Sequence, residues 1–209
     1  MMMNATSTNK MDEYTSIIND VMKEKILDLR EVLREKDDYT YQHCQRVLDY
    51  SFMLGLELSL PKNELEDLAI AAFFHDVGKI AIPDKILKKT DVLTNDEMIV
   101  MQNHPRTSAG VLRVAGGSRE SVKALACHHE RYDGKGYPYG LHKENIPLLS
   151  RIISVADEYD YMTSNRRYAK GLEKIEAIRR LLLCSGDQFD PMIIEVFVGR
   201  LERPQENLS

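Results

Sequence analysis

The chain of 209 residues holds 6 histidines, and five of them, His43, His75, His104, His128 and His129, fall at or near the ends of apolar helical stretches. Only His142 sits in an ordinary polar loop. The sharpest of these places is Phe73-Phe74-His75-Asp76-Val77-Gly78-Lys79-Ile80, where an apolar run carrying Leu65, Leu68, Ala69, Ala72 and Phe73 meets an imidazole, a carboxylate and a lysine. Burying the imidazole or the carboxylate unpaired costs several kcal/mol. Neighbours on a helix point about 100° apart, so both cannot face water from a mostly buried helix. Alone, a His-Asp pair reads as a helix end turned to solvent, because such dipeptides arise by chance. Several imidazoles converging from separate helices read differently, since each needs a partner and few other buried acceptors are on offer. Imidazole with carboxylate suits first-row metals such as Fe, Mn, Ni or Zn. No cysteine cluster suggests a structural zinc.

The elements that must position these groups follow from apolar spacing and breakers. Over residues 11–36, Ile17, Ile18, Val21, Met22, Ile26, Leu29, Val32 and Leu33 recur at helical spacing beneath a charged face. Such a helix packs on its own domain, with a homodimer seam as the lesser alternative. A second helix over 40–60 carries His43 near its start and is stopped by Pro61; Asn63 is the expected N-cap of the helix that carries His75 and Asp76. Residues 80–87 form an irregular connector. Thr94-Asn95-Asp96-Glu97 fits a capping box and opens a helix that runs to His104-Pro105. Short helices over 109–114 and 121–129 follow, and the second delivers His128 and His129. Residues 131–147 hold Gly134, Gly136, Pro138, Gly140 and Pro147, too many breakers for a regular element, and read as a loop. Helices resume over 148–163, with Asp157 and Asp160 among apolar residues, over 172–184, and over 191–201. The last has Asp190 at its cap and Pro191 in its first turn. With no sustained period-two strand, the expected class is all-α, with about seven to nine helices.

At this length a chain buries roughly 70% of its unfolded surface, so one core forms without disulfides or structural metal. The expected division is an N-terminal polar segment and amphipathic helix over 1–36 and one domain over 37–209. A hydrophobic fraction of 43% and a charged fraction of 29% are those of a soluble globule, not of a disordered tail. No apolar run approaches the ~20 residues that span a bilayer, and residues 1–10 lack a signal-peptide hydrophobic region. No membrane partner is expected. Cys44, Cys127 and Cys184 are odd in number and form no CxxC, as reduced thiols of a cytoplasmic protein do. A net charge of −5 argues against a nucleic-acid polymer as main partner. It leaves room for a small phosphorylated ligand whose charge a local cation offsets.

At His75-Asp76, at His128-His129-Glu130-Arg131-Tyr132-Asp133-Gly134-Lys135-Gly136-Tyr137-Pro138 and at Val155-Ala156-Asp157, the chain resembles the HD-GYP phosphodiesterases. These are bacterial hydrolases of cyclic di-GMP within the HD metal-phosphohydrolase superfamily. The resemblance runs from Asp37 to about Leu201, and Ile82-Pro83-Asp84, His104-Pro105, Thr163-Ser164-Asn165-Arg166 and Gln188-Phe189-Asp190-Pro191 also match. It implies an HD-domain-like helical bundle with a Gly/Pro-rich loop over the metal site. It also implies hydrolysis of cyclic di-GMP to linear pGpG, with onward hydrolysis to GMP as the open alternative. Carried over residue by residue, His43, His75, Asp76 and Asp157 would hold one divalent ion, and Asp76 would bridge to a second held by His104, His128 and His129. Two cations about 3.5–4 Å apart are suited to in-line displacement at phosphorus. Lys79 resembles the family's site lysine, which would bind the phosphate or protonate the leaving oxygen. Some members bind a third metal through a glutamate four positions before the first histidine; Tyr39 stands there, which favours two.

Asp160, one turn after Asp157, reads as an acceptor that fixes a ligand imidazole or as a salt-bridge partner. Asp133 is placed with it behind the ligands, or with Glu130 as a brace of the loop. Substrate contacts are expected from Gly136, Tyr137 and Pro138, and from Arg166 on the non-scissile phosphate. The usual Asp-Arg-Pro-Tyr-Arg reads Asn165-Arg166-Arg167-Tyr168-Ala169 here, so one cation is missing, and Arg167 or Lys170 would replace it. Tyr161 stands where a small residue is common and would narrow the pocket. Cys44 and Cys127 adjoin ligand histidines and read as small buried residues. Two rival functions remain: hydrolysis of another cyclic dinucleotide such as cyclic GMP-AMP, or of a nucleoside phosphate, and a non-catalytic module that binds a cyclic dinucleotide or docks a GGDEF-type diguanylate cyclase. A complete ligand set weighs against a decayed site. Family members commonly join this domain to a receiver or sensor, so regulation through another protein or domain is expected.

Overall fold

The computed structural model describes residues 31, 34, 35, 38–165 and 170–203. The expected helix over 11–36, apart from residues 31, 34 and 35, and Arg166 therefore lie outside the described residues. The helices are α1 (Asp38–Glu57), α2 (Lys62–Phe74), the single turn α3 (Asp84–Leu87), α4 (Asn95–Met101), α5 (His104–Val114), α6 (Arg119–Ala126), α7 (Leu148–Thr163), α8 (Lys174–Leu183) and α9 (Pro191–Glu202). Short 3-10 turns cover Val77–Ala81 and Lys143–Asn145. Among the described residues no strand forms, and the expected all-α class holds.

The core is built by three helices that bury most of their surface. α1 contributes Cys44, Val47, Leu48, Phe52 and Leu54, and α7 contributes Ile152, Ile153, Val155, Ala156 and Tyr159. α2 buries Leu65, Leu68, Ala69, Ala71, Ala72, Phe73 and Phe74, nearly all round its axis, the pattern of a central helix. Phe197 of α9 completes the far side, edge-on to Tyr159 with ring centroids 5.1 Å apart. Burying a side chain of this size contributes about 1.5–3 kcal/mol. A cluster of this extent holds the helix ends where the chemistry sits. No helix among the described residues is long and apolar enough to cross a membrane.

Two caps form as the sequence implies. Thr94 Oγ1 accepts from Glu97 N at 3.3 Å while Glu97 accepts from Thr94 N at 2.8 Å. Asp190 accepts from Met192 N at 2.9 Å at the start of α9. Several boundaries differ from expectation: residues 84–87 of the expected irregular connector form α3, and α6 runs Arg119–Ala126, ending before His128 and His129. α2 begins at Lys62, ahead of Asn63, because Pro61 itself takes the cap position with extended geometry (φ −65°, ψ 157°) and its carbonyl accepts from Glu64 N and Leu65 N at 3.0 Å. His104-Pro105 opens a helix instead of closing one. α4 stops at Met101, and Pro105 sits in the first turn of α5, where its missing N–H leaves no bond unmade.

Candidate metal centre

Helix ends supply three of the imidazoles for a common reason. The last carbonyls of a helix lack intrahelical donors. His75 follows the last residue of α2, and its Nδ1 lies 2.7 Å from Ala72 O. His104 Nδ1 lies 2.8 Å from Met101 O, the end of α4. His128 Nδ1 lies 2.6 Å from Leu125 O near the end of α6. A carbonyl only accepts, so each Nδ1 carries the proton and each Nε2 keeps a free lone pair. All three lone pairs turn into the same interior. His43 is held differently, from inside α1. Its Nδ1 lies 2.7 Å from Asp160 Oδ2, and Asp160 is itself gripped by Arg46 Nε at 2.6 Å, Arg46 Nη2 at 3.1 Å and Ser164 Oγ at 2.9 Å.

Two clusters result. His43, His75 and Asp157 offer ligand atoms within 4.8 Å of one another, and so do His104, His128 and His129. In the first, His43 Nε2 stands 3.1 Å from Asp157 Oδ1, and His75 Nε2 stands 3.8 Å from the same oxygen. In the second, His104 Nε2 lies 3.2 Å from His129 Nε2 and 3.4 Å from His128 Nε2. Asp76 lies between them. Its Oδ2 is 3.5 Å from His75 Nε2 and 3.8 Å from His43 Nε2, and its Oδ1 is 3.3 Å from His104 Nε2. Gly78 makes this juxtaposition possible. A Cβ there would press on His104 O and lie 2.6 Å from Ser108 N. Ser108 then clasps the turn, accepting from Gly78 N at 2.8 Å and donating to His75 O at 2.7 Å.

The electrostatics follow from burial and crowding. Burial, with His129 nearby, pushes the His128 imidazole well below its ordinary range. Burial likewise lowers His104 to about 3 and His129 to about 4, although Asp76 pulls the other way. These three are neutral, the form that binds metal. Burial would also lower His43, but Asp157 and Asp160 outweigh it and raise the group to about 9. Burial would raise the Asp76 carboxyl, yet Lys79 and the surrounding imidazoles hold it well below the usual carboxylate range. Lys79 Nζ sits 2.5 Å from Asp76 Oδ2. The residues fit a divalent metal on one observation in particular: His75 Nε2 is buried, carries a lone pair and has no hydrogen-bond partner. A buried polar atom left bare costs about 1–3 kcal/mol, and a cation placed among these nitrogens and carboxylate oxygens removes that cost.

The loop after His129 closes one side. Gly136 lacks a Cβ because one there would collide with Arg131 N and lie 2.5 Å from Glu130 Cα. Buried Glu130 accepts from Tyr139 N at 2.6 Å and Leu141 N at 3.0 Å. Asp133 accepts from Arg131 at 3.1 and 2.8 Å and from Lys135 N at 3.0 Å. Tyr137 is thereby laid against His129, ring centroids 4.9 Å apart and planes at 33°. Pro138 O accepts from Arg106 at 3.2 Å.

Residues 28–193 match the HD domain family. The chain belongs to that family. Its HD domain is 40% identical over 171 residues to a cyclic di-GMP phosphodiesterase of Pseudomonas aeruginosa, a match covering 79% of this chain and 40% of the relative. It is 31% identical over 183 residues to the 3'3'-cGAMP-specific phosphodiesterase 2 of Vibrio cholerae, covering 87% and 35%. An HDG"Y"P protein from Bdellovibrio bacteriovorus shares the fold, with a TM-score of 0.65 at 20% identity over 89% of this chain and 60% of that one. The chain spans less than half the length of these two curated relatives. The comparisons bear out the resemblance to the HD-GYP type, and HD domains are metal-dependent.

Of the residues singled out in the sequence, the HD domain brings His43, His75, Asp76, His104, His128, His129 and Asp157 together, with Lys79 on Asp76 and Asp160 behind His43. Asp133 goes elsewhere. Its hydrogen bonds run to Arg131 and Lys135 within the loop, because the turn at Gly134 folds it back on its own segment. Lys170 lies at a cavity beside α7, with Tyr161. Sequence reasoning missed Arg46 and Ser108. The available signal was spacing: Arg46 stands three residues after His43 and Ser108 four after His104, so each shares a helix face with its histidine.

Proposed function

We propose that this HD domain is a metal-dependent phosphodiesterase that hydrolyses cyclic di-GMP to pGpG, with two divalent transition-metal ions drawn from Fe, Mn, Ni or Zn. The observation that carries the reading is Asp76, with Oδ2 toward His43 and His75 and Oδ1 toward His104. His43, His75 and Asp157 would hold one ion, His104, His128 and His129 the other, and Asp76 would serve both. Bound there, such ions supply Lewis acidity and lower the pKa of water from 15.7 towards ~7. The chain's own groups do the rest. Asp160 keeps His43, and helix-end carbonyls keep His75, His104 and His128, in the tautomer that presents Nε2. Lys79, held on Asp76, places a positive charge and a transferable proton beside the phosphate. Tyr137 and the braced loop exclude water from one flank, and Gly136 lets backbone approach the substrate. Arg166 and Lys170 are assigned to the second phosphate.

Cyclic di-GMP is favoured by the 40% identical relative, and cyclic GMP-AMP is the second reading because a relative specific for it matches at 31%. A cytoplasmic setting fits the free thiols of Cys44, Cys127 and Cys184. A regulatory domain or GGDEF-type partner fits relatives of which this chain's match covers 40% and 35%. The test loads the protein with Mn or Fe, counts metal per chain by elemental analysis, and follows cyclic di-GMP by chromatography. About two metals per chain and a linear product are expected. Well under one metal and no turnover would leave a binding or docking module.

A further inference from the structure

The five imidazoles of the metal centre are not oriented alike. His43 gives its Nδ1–H to Asp160, and His75, His104 and His128 give theirs to helix-end carbonyls. Metal-binding imidazoles rely on such a partner, since it fixes both the tautomer and the plane of the ring. His129 is the exception. Its Nε2 points to His104 Nε2 at 3.2 Å, and among the described residues its Nδ1 meets no acceptor. Two nearby carbonyls are already engaged: Leu125 O serves His128, and Cys127 O accepts from Glu130 N at 3.0 Å.

What His129 has instead is rings. His104 meets it edge-on, centroids 5.0 Å apart at 81°, and His128 lies 4.1 Å away at 42°. Both are ligands themselves, so neither holds His129 independently of the ion. The third ring is Tyr137, the most nearly parallel, at 4.9 Å and 33°. Tyr137 is tied to the same residue a second time, because its N–H donates to His129 O at 3.2 Å. Its neighbours are anchored as well. Tyr139 N donates to Glu130, next to His129, at 2.6 Å. Pro138 O accepts at 3.2 Å from Arg106, two residues after His104, whose guanidinium lies 5.2 Å from the Tyr139 ring centroid. The Tyr137 ring is therefore set in place from two sides of the cluster. An imidazole free to turn about its Cβ–Cγ bond swings Nε2 off the ion, and freezing that rotation on binding lowers affinity. From this geometry we infer that Tyr137 is the positioning residue of His129, its stacked ring and backbone N–H doing for that ligand what an Nδ1 hydrogen bond does for the other four. The inference rests on the two-metal reading above and adds a dependence: retention of the second ion requires the loop to keep its place.

Titration of the metal-free full chain with zinc against a competing chelator, fitted to two classes of site, reads this without any substrate. Tyr137→Leu should weaken the His104, His128 and His129 class by about tenfold, the lower end of what outer partners of ligand histidines contribute. The His43, His75 and Asp157 class should stay within about twofold, as for a site with no shared partner. Tyr137→Phe keeps the ring and should hold both constants within about twofold of wild type. Arg106→Ala frees Pro138 but leaves the ring, so it should weaken the same class by less than Tyr137→Leu does. The inference is overturned by unchanged affinity or equal weakening of both classes in Tyr137→Leu, or by a loss as large in Tyr137→Phe or Arg106→Ala. A wild type with fewer than two classes of site overturns it too. Turnover of cyclic di-GMP is scored separately by chromatography. A wild type that binds two ions and cleaves nothing sinks the hydrolase reading, and the affinities still decide the role of Tyr137.

Discussion

Replacing Asp160 with asparagine isolates one half of the centre. The side chain is 1% exposed, and its two oxygens accept from His43 Nδ1, Arg46 and Ser164. A carboxamide has the same shape but one oxygen and one NH2 group. Whichever way it is turned, the NH2 faces a donor, either the His43 Nδ1–H or the Arg46 guanidinium. Hydrogen bonds to charged groups contribute about 1.5–3 kcal/mol each, and half-open Arg46 recovers part of its share from water. The loss at His43 is not recovered, because that ring is buried. Outer partners of ligand histidines typically change metal affinity by about 10–100-fold. Asp160→Asn should therefore weaken binding at the His43, His75 and Asp157 cluster by that factor. The cluster of His104, His128 and His129, in which backbone carbonyls orient His104 and His128 and none of the three rings touches Asp160, should stay within about twofold. Competition titration of the metal-free protein against a chelator, fitted to two classes of site, reads both constants. Equal weakening of the two classes, or none, would refute the division of the centre into a half that depends on Asp160 through His43 and a half that does not.

Gly78→Ala should destabilise the fold by about 1–3 kcal/mol, the usual range for overpacking, since its Cβ meets His104 O and Ser108 N; a urea midpoint unchanged from wild type would contradict this. Lys79→Met should lower kcat by about 10²-fold or more, as loss of a positioned acid does, while metal content stays at the wild-type value; parallel loss of metal would assign Lys79 a purely structural role. Stability of the metal-free protein should fall with acid. His104 and His129 titrate at about 3 and about 4 when folded, below the ordinary 6.5 or so. The unfolded chain thus takes up protons that the folded one refuses, and their contribution, complete above pH ~6.5, is lost as pH falls towards those values. His43, raised to about 9, acts in the opposite sense, with most of its gain complete by pH ~6.5. From pH 7 to pH 5 these three groups together cost about 2–3 kcal/mol, and His128, also held well below its ordinary range, adds to the loss; urea denaturation at each pH measures it, and a rise in stability would contradict the assignment.

Much of this molecule was legible locally. The apolar spacing of α1, α2 and α7, the Thr94–Glu97 capping box, the Asp190-Pro191 start of α9 and the breakers between His129 and Leu148 all depend on neighbours within a turn or two. So does the appearance of histidines at helix ends, where spare carbonyls wait for a donor. Identifying which imidazoles meet required the known pattern of a family, because spacing along the chain says nothing of how helices cross. His43 and Asp160 are 117 residues apart in sequence and 2.7 Å apart in space. Their pairing depends on α1 lying against α7 in one register, which the apolar core sets as a whole. The same packing sends Asp160 to an imidazole and leaves Asp133, equally acidic, on Arg131. It also decides that His104 opens a helix, and that Gly78 touches that helix closely enough for Asp76 to face both clusters. Residue types and local order come from short-range chemistry; the convergence of the site comes from long-range packing, where each contact depends on all the others.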